Sequence, residues 1–248
     1  EEYLIGLRKE VLIDKKPTLD SIEDLLAIRP RVEKLVVKDA KLRTFITDDD
    51  HRDDLVEHVY DTTYEVVKKD RDTIVVVDDS IVRGTTLEKS ILKLLDKLRP
   101  KKIVIVSSAP QIRYPDCYGI DMSKMKEFVA FRAMLELLKD HNMTYKLGEV
   151  YDKCVASKGQ KNAPNYVKEL YAPFTDDQIS AKIAEIITPP DVKAKVEIVY
   201  QSVSSLHKAC PAHLGDWYFT GDYPTMGGNR VVNRAFVNFM EGKLVRAY

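Results

Sequence analysis

The chain has 248 residues, 44% of them hydrophobic and 31% charged, with 39 basic and 39 acidic residues and a formal net charge of zero. That length suits one large α/β domain or a domain with an appendage, and the balanced charge argues against a general nucleic-acid binder, which needs a basic excess. Three widely spaced cysteines, Cys117, Cys154 and Cys210, form neither a disulfide framework nor a CxxC metal knuckle, which fits a reducing, cytoplasmic setting. No apolar run approaches the roughly 20 residues that span a bilayer, and EEYLIGLRKE is not a secretory signal. The sequence opens at Glu1 without an initiating methionine, so a piece of a longer polypeptide is expected.

Asp20 and Glu23 have capping-box spacing ahead of Ile22, Leu25, Leu26 and Ile28, which predicts a helix ending at Pro30. Lys34–Lys38 and Leu42–Ile46 read as short strands. Asp48–Lys69 opens with acidic residues and then sets Leu55, Val56, Val59, Tyr60, Thr63 and Val67 on one helical face. Thr73–Val77 is a continuous apolar run, the pattern of a strand buried on both faces of a parallel sheet. A polar loop follows, then a helix over Thr85–Leu98 with Leu87, Ile91, Leu94, Leu95 and Leu98 in a stripe, and a second strand at Lys102–Ser107. This is a βαβ unit, so the fold class is α/β with ligands at the carboxyl ends of the strands. Helices are predicted over Lys124–Lys139 and Asp176–Ile187. The tail from Pro211 reads as irregular before a final short helix. Three regions result: a segment 1–40 that reads as an insertion, a core over 41–150, and a mostly helical extension over 151–248.

The chemistry concentrates in Asp78-Asp79-Ser80-Ile81-Val82-Arg83-Gly84-Thr85-Thr86. Two carboxylates stand at the end of a buried strand, and a short permissive loop then enters a helix. Thr85 and Glu88 have capping-box spacing, so the helix is expected to begin there, with its orphan amides and positive dipole end facing the loop. Gly84 permits close approach of backbone to ligand, and Ser80, Arg83, Thr85 and Thr86 add donors, which makes a phosphate cradle. Aspartates beside a phosphate make sense if the ligand is a sugar phosphate whose hydroxyls they accept, with a divalent cation balancing charge. An Asp-Asp-Ser run is by itself often only a turn and a cap. The strand before it and the helix after it raise this one above that. Neither GxxxxGK(S/T) nor GxGxxG occurs, so nucleoside-triphosphate hydrolysis and dinucleotide binding lack support.

VVVDDSIVRGTT (Val75–Thr86) resembles the phosphoribosylpyrophosphate (PRPP) motif of type I phosphoribosyltransferases, in the form found in glutamine PRPP amidotransferases. Three further segments are similar to that family in the same order: RTFI (Arg43–Ile46), SSAPQIRYPDCYGIDM (Ser107–Met122) and FTGDYPT (Phe219–Thr225). The resemblance implies a type I phosphoribosyltransferase-like parallel sheet. It also implies formation of phosphoribosylamine from PRPP and glutamine-derived ammonia, in purine synthesis. Asp78 and Asp79 would hold ribose hydroxyls and Mg²⁺, and Ser80–Thr86 the 5-phosphate, with no covalent nucleophile. It further implies competition by purine nucleotides, a homo-oligomer, and a glutaminase domain that this chain does not carry.

Departures are visible too. The segment after RTFI is acidic here, leaving Arg52 and His58 as candidate phosphate contacts. Where some relatives carry iron–sulfur ligands this chain has Gly215 and Tyr218, so no cluster is expected, and Cys117 reads as incidental. His51, His58, His141, His207 and His213 show no ligand spacing, and Trp217 is expected in the core. A binding module that senses PRPP or purine nucleotides without turnover is the alternative. A base-salvage transferase is argued against by the YGIDM and FTGDYPT segments.

Overall fold

The computed structural model describes Val32 and residues 36–38, 60–62, 66–117, 122–213, 215–243 and 245–247. The predicted helix ending at Pro30, the strand Leu42–Ile46 with its RTFI motif, the acidic run Asp48–Asp54, Arg52, His51, His58 and residues 118–121 of the YGID motif lie outside the described residues. Strand β1 (Val36–Lys38) pairs antiparallel with β2 (Tyr60–Thr62). This corrects the expected helix over Asp48–Lys69 at the residues that can be compared. Tyr60 and Thr62, aromatic and β-branched, suit a pleated strand at least as well as a helix.

Strands β3 (Thr73–Asp78), β4 (Lys102–Ser107) and β5 (Lys195–Tyr200) form a parallel three-stranded sheet in that order. The α/β class is therefore as read from the sequence. β5 was not foreseen, and residues 151–248 contribute sheet as well as helix. KVEIVY places Val196, Ile198 and Tyr200 on one face but Lys195, Glu197 and Val199 on the other, with a charge near its centre, a weaker strand signal than TIVVV or KIVIV.

The helix after β3 begins as a π-helical stretch, Leu87–Ile91, and continues without a break as α1 (Leu92–Asp96). The predicted capping box does not form: Thr86 stands at the cap position without a side-chain hydrogen bond, and the first intrahelical bond runs from the Glu88 amide to the Gly84 carbonyl at 3.0 Å. Next come a 3₁₀ turn (Met125–Glu127) and α2 (Val129–Asp140), where one helix was expected. Phe128 sits between them in an extended conformation that breaks the run. Then follow α3 (Tyr145–Ala156), α4 (Lys168–Tyr171), α5 (Asp176–Ile187), α6 (Val203–Ala209), α7 (Trp217–Thr220) and α8 (Met226–Met240). α5 has the predicted bounds and a complete capping box between Thr175 and Gln178. At 15 residues α8 is the longest described helix rather than a short one, started by the Thr225 side chain accepting from the Gly228 amide.

Registered positions share a sheet face. On one face Ile74, Ile103, Ile105 and Ile198 are buried in a core with Leu92, Val129, Met134, Ile183 and Ile187, and α2 packs on α5, which packs on β5. Phe131 is fully buried and meets Phe239 edge-on at 4.9 Å between ring centres, joining α2 to α8. On the other face Val75 is 60% exposed, Val77 72% and Val199 44%. Among the described residues β3 is thus covered on one face, not two. The apolar run signalled a strand of a parallel sheet correctly, but not which layers cover it.

Candidate functional site

β3 delivers Asp78 and Asp79 to the carboxyl end of the sheet, and the neighbouring strand holds them there. The Ser108 amide donates to the Asp78 carbonyl at 2.9 Å and the Ala109 amide to the Asp79 carbonyl at 3.1 Å. The Ser108 hydroxyl is 3.1 Å from both carbonyls. Asp78 Oδ1 accepts the Asp79 amide at 3.0 Å, and Asp79 Oδ1 accepts the Ser80 amide at 2.8 Å. Burial first, and the adjacent Asp79 charge second, hold the Asp78 carboxyl above its ordinary range. Two close carboxylates with one of them disfavoured as an anion form a site that gains from a cation or a hydroxyl donor.

The rest of the loop divides by side chain. Ile81 is buried and Val82 half-buried in the core, so these two anchor the loop and only their backbone can serve a ligand. Asp79, Arg83, Thr85 and Thr86 are exposed and Ser80 is half-buried. The Val82 carbonyl accepts the Val129 amide at 2.8 Å. Arg132 donates to the Arg83 carbonyl at 2.8 Å, and Arg83 pairs with Glu127 at 2.7 Å. Gly84 has φ +75°, and a Cβ there would lie 2.9 Å from Ile187 Cγ2 and 3.5 Å from Val129 Cγ2. Glycine is needed both for the backbone conformation and for the fit against α2 and α5. Beyond it the amides of Gly84, Thr85 and Thr86 donate to no acceptor among the described residues.

All nine sequence-predicted site residues, Asp78 to Thr86, are thus brought together by one strand–loop–helix. Arg83 is committed to Glu127 rather than held in reserve for a ligand. Ser108, Glu127, Val129 and Arg132 support the loop and were not singled out from the sequence. They lie 29 to 49 residues away along the chain, and nothing in local spacing marks them. The other described motifs also meet in space. The Tyr218 carbonyl accepts the Arg113 and Tyr114 amides at 2.9 and 3.1 Å, the Tyr218 hydroxyl donates to Asp116 at 2.6 Å, and the Tyr223 hydroxyl donates to the Pro115 carbonyl. Trp217 is half-buried against the core. His207 faces Asp216 at 3.3 Å, and His141 lies against Phe174.

A cleft of about 1490 Å³ runs along the free edge of β5, bordered by Gln111, Arg113, Asp176, Ser180 and Tyr200 among others. None of Asp78–Thr86 borders it. Four of its polar side chains bond within this group: Gln111 donates to the Asp176 carbonyl at 2.8 Å and to Ser180 at 2.7 Å, and Arg113 pairs with Gln111 and Asp176.

No protein-family model matches the chain. Curated sequences do. The amidophosphoribosyltransferase of Pasteurella multocida is 40% identical over 90 residues, 36% of this chain and 18% of its own length. That of Haemophilus influenzae is 50% identical over 58 residues, 23% of this chain and 11% of its own. That of Saccharomyces cerevisiae is 30% identical over 135 residues, 50% of this chain and 26% of its own. Over these stretches the chain is similar to amidophosphoribosyltransferases. It spans between 11% and 26% of the length of these three amidophosphoribosyltransferases. A solved structure, the Bacillus subtilis glutamine PRPP amidotransferase complexed with ADP and GMP, aligns over 77% of this chain and 32% of its own at 24% identity and a TM-score of 0.39, too slight a likeness to argue from.

Proposed function

We propose that Asp78–Thr86 bind PRPP together with Mg²⁺, and that the chain supplies phosphoribosyl transfer in an amidophosphoribosyltransferase that makes phosphoribosylamine from PRPP and ammonia released from glutamine. The observation that carries this reading is the strand–loop–helix itself. Amides at Gly84, Thr85 and Thr86 without an acceptor among the described residues stand at a helix start, beside two carboxylates at a strand end. The amides and the dipole suit a phosphate, and the carboxylates suit a sugar diol.

The carboxylates also fit Mg²⁺. No group of three or more His, Cys, Asp or Glu able to hold a metal occurs among the described residues, but Mg²⁺ is commonly held by one or two carboxylates plus substrate phosphates and waters. Asp78 and Asp79 are such a pair, and a cation would relieve the mutual repulsion that, after burial, raises the Asp78 carboxyl. When bound, the ion supplies charge stabilisation to the leaving pyrophosphate. The residues do the rest. Loop amides fix the 5-phosphate, and the carboxylates orient the ribose hydroxyls and oppose the positive charge that develops at the anomeric carbon as ammonia displaces pyrophosphate. Purine nucleotides carry the same ribose and phosphate and would compete for the loop. On this reading the protein works in the cytoplasm as a homo-oligomer, with ammonia from a glutaminase domain of the parent enzyme.

Calorimetry of PRPP into the chain with and without Mg²⁺ tests the proposal. Saturable, Mg²⁺-dependent binding that is lost in Asp79→Asn is the expected result. A folded wild-type sample that binds no PRPP, or a variant that binds it equally well, sinks the assignment of this loop.

A further inference from the structure

Tyr200 closes β5, and its hydroxyl is buried with no hydrogen-bond partner among the described residues. Buried hydroxyls are rarely left so. The register pairs Asp78 with Ser107 and Ser107 with Tyr200, so the three side chains leave the same face of the sheet in one row at its carboxyl end. Two strand spacings, roughly 10 Å, separate the backbones of Asp78 and Tyr200. Long side chains and one small guest can close that gap. Ser107 between them does not: it is 1% exposed and its hydroxyl donates to the Ala109 carbonyl at 2.8 Å.

The other end of the row has an acceptor to spare. Asp78 Oδ1 accepts the Asp79 amide, whereas Oδ2 accepts no hydrogen bond among the described residues. The Asp78 charge does act on the Tyr200 phenol, adding to burial in raising it, so the two groups lie within electrostatic reach. A buried donor and an acceptor without a partner among the described residues thus stand in one row, the kind of pair that an ordered water bridges.

We propose that Tyr200 is a positioning residue of the sugar-phosphate site: its hydroxyl donates to one ordered water, which donates to Asp78 Oδ2 and holds that carboxylate in the orientation a ligand meets. The bridge itself is independent of what binds; its effect on affinity rests on the PRPP reading above. Tyr200 does not touch the ligand and acts only through Asp78.

Two measurements decide it. A high-resolution crystal structure of the ligand-free chain is expected to show a water within hydrogen-bond distance of both Tyr200 Oη and Asp78 Oδ2. A dry gap, or a Tyr200 hydroxyl bonded elsewhere, overturns the bridge. In calorimetry with Mg²⁺ and PRPP, Tyr200→Phe is expected to bind about tenfold more weakly than wild type, and to cause no further loss in an Asp78→Asn background, because the two act as one unit. Equal losses in both backgrounds would mark a merely structural role and overturn the positioning one. If wild type binds no PRPP, the proposed function fails by itself, and the water still decides whether Tyr200 and Asp78 are linked.

Discussion

The loop Asp78–Thr86 and the cleft beside β5 flank one sheet, and they differ in what they leave undone. The cleft is large, about 1490 Å³, yet Gln111, Arg113, Asp176 and Ser180 satisfy one another across it. The loop is small, and three of its amides, one carboxylate oxygen and a nearby buried hydroxyl have no partner among the described residues. Donors and acceptors without a protein partner remain available to a ligand, and those that are buried cost stability until one is supplied. On the proposed reading, available polar chemistry, and not volume, marks the binding site.

The sharpest way to break the comparison is at its pivot. Gly84→Ala places a Cβ 2.9 Å from Ile187 Cγ2 at a backbone φ of +75°. Left-handed strain and overpacking between α2 and α5 together should cost about 2–4 kcal/mol. Chemical denaturation is expected to show that loss, and calorimetry a loss of PRPP binding in the fraction that remains folded. An unchanged denaturation midpoint would mean that the loop is not clamped to the helices as described. The cleft supplies the contrast. Gln111→Ala removes a side chain 4% exposed and strands the groups it bonds, for about 1–3 kcal/mol, but PRPP affinity should not move. If affinity falls with it, the cleft belongs to the site and the distinction between the two regions collapses.

Why one region was legible in the sequence and the other was not follows from range. TIVVV, DDS, RGTT and the leucine stripe lie within 26 consecutive residues (Thr73–Leu98), so strand, loop and helix could be read from local pattern, and their bounds hold to within a few residues. The clamp on that loop could not. Arg132 reaches the Arg83 carbonyl from 49 residues away, and β5 joins the sheet 88 residues after the last residue of β4. β5 also alternates charge with apolar residues, so its burial comes from α5 rather than from its own composition. The expected Thr85–Glu88 capping box failed for a local reason. The helix opens one residue earlier on Gly84 and widens into a π-helical stretch, so Thr86, the residue before that stretch, is already helical and caps nothing. Conversely, the Thr175–Gln178 box before α5 is fully formed, because there the helix starts directly after an extended Thr175.

The smallest effect expected is also the most diagnostic. Burial and then the Asp79 charge raise the Asp78 carboxyl above its ordinary value in the folded protein. The folded state therefore holds that proton more tightly than the unfolded chain does, and ionising Asp78 costs stability as pH rises through its folded range. Asp78→Asn escapes that cost while keeping the shape of the side chain. Thermal melts at neutral pH should place the variant slightly above wild type. The difference should shrink as pH falls through the raised value and vanish below the ordinary carboxylate range, while PRPP binding is weakened at every pH. Since Asp78 is only partly buried, solvent screening keeps the gain small. A variant less stable than wild type at neutral pH would show Asp78 to be a structural carboxylate. A variant more stable and binding-deficient would show that the loop keeps a destabilising charge for its ligand, in contrast to Gln111, Arg113, Asp176 and Ser180, whose bonds to one another are already made.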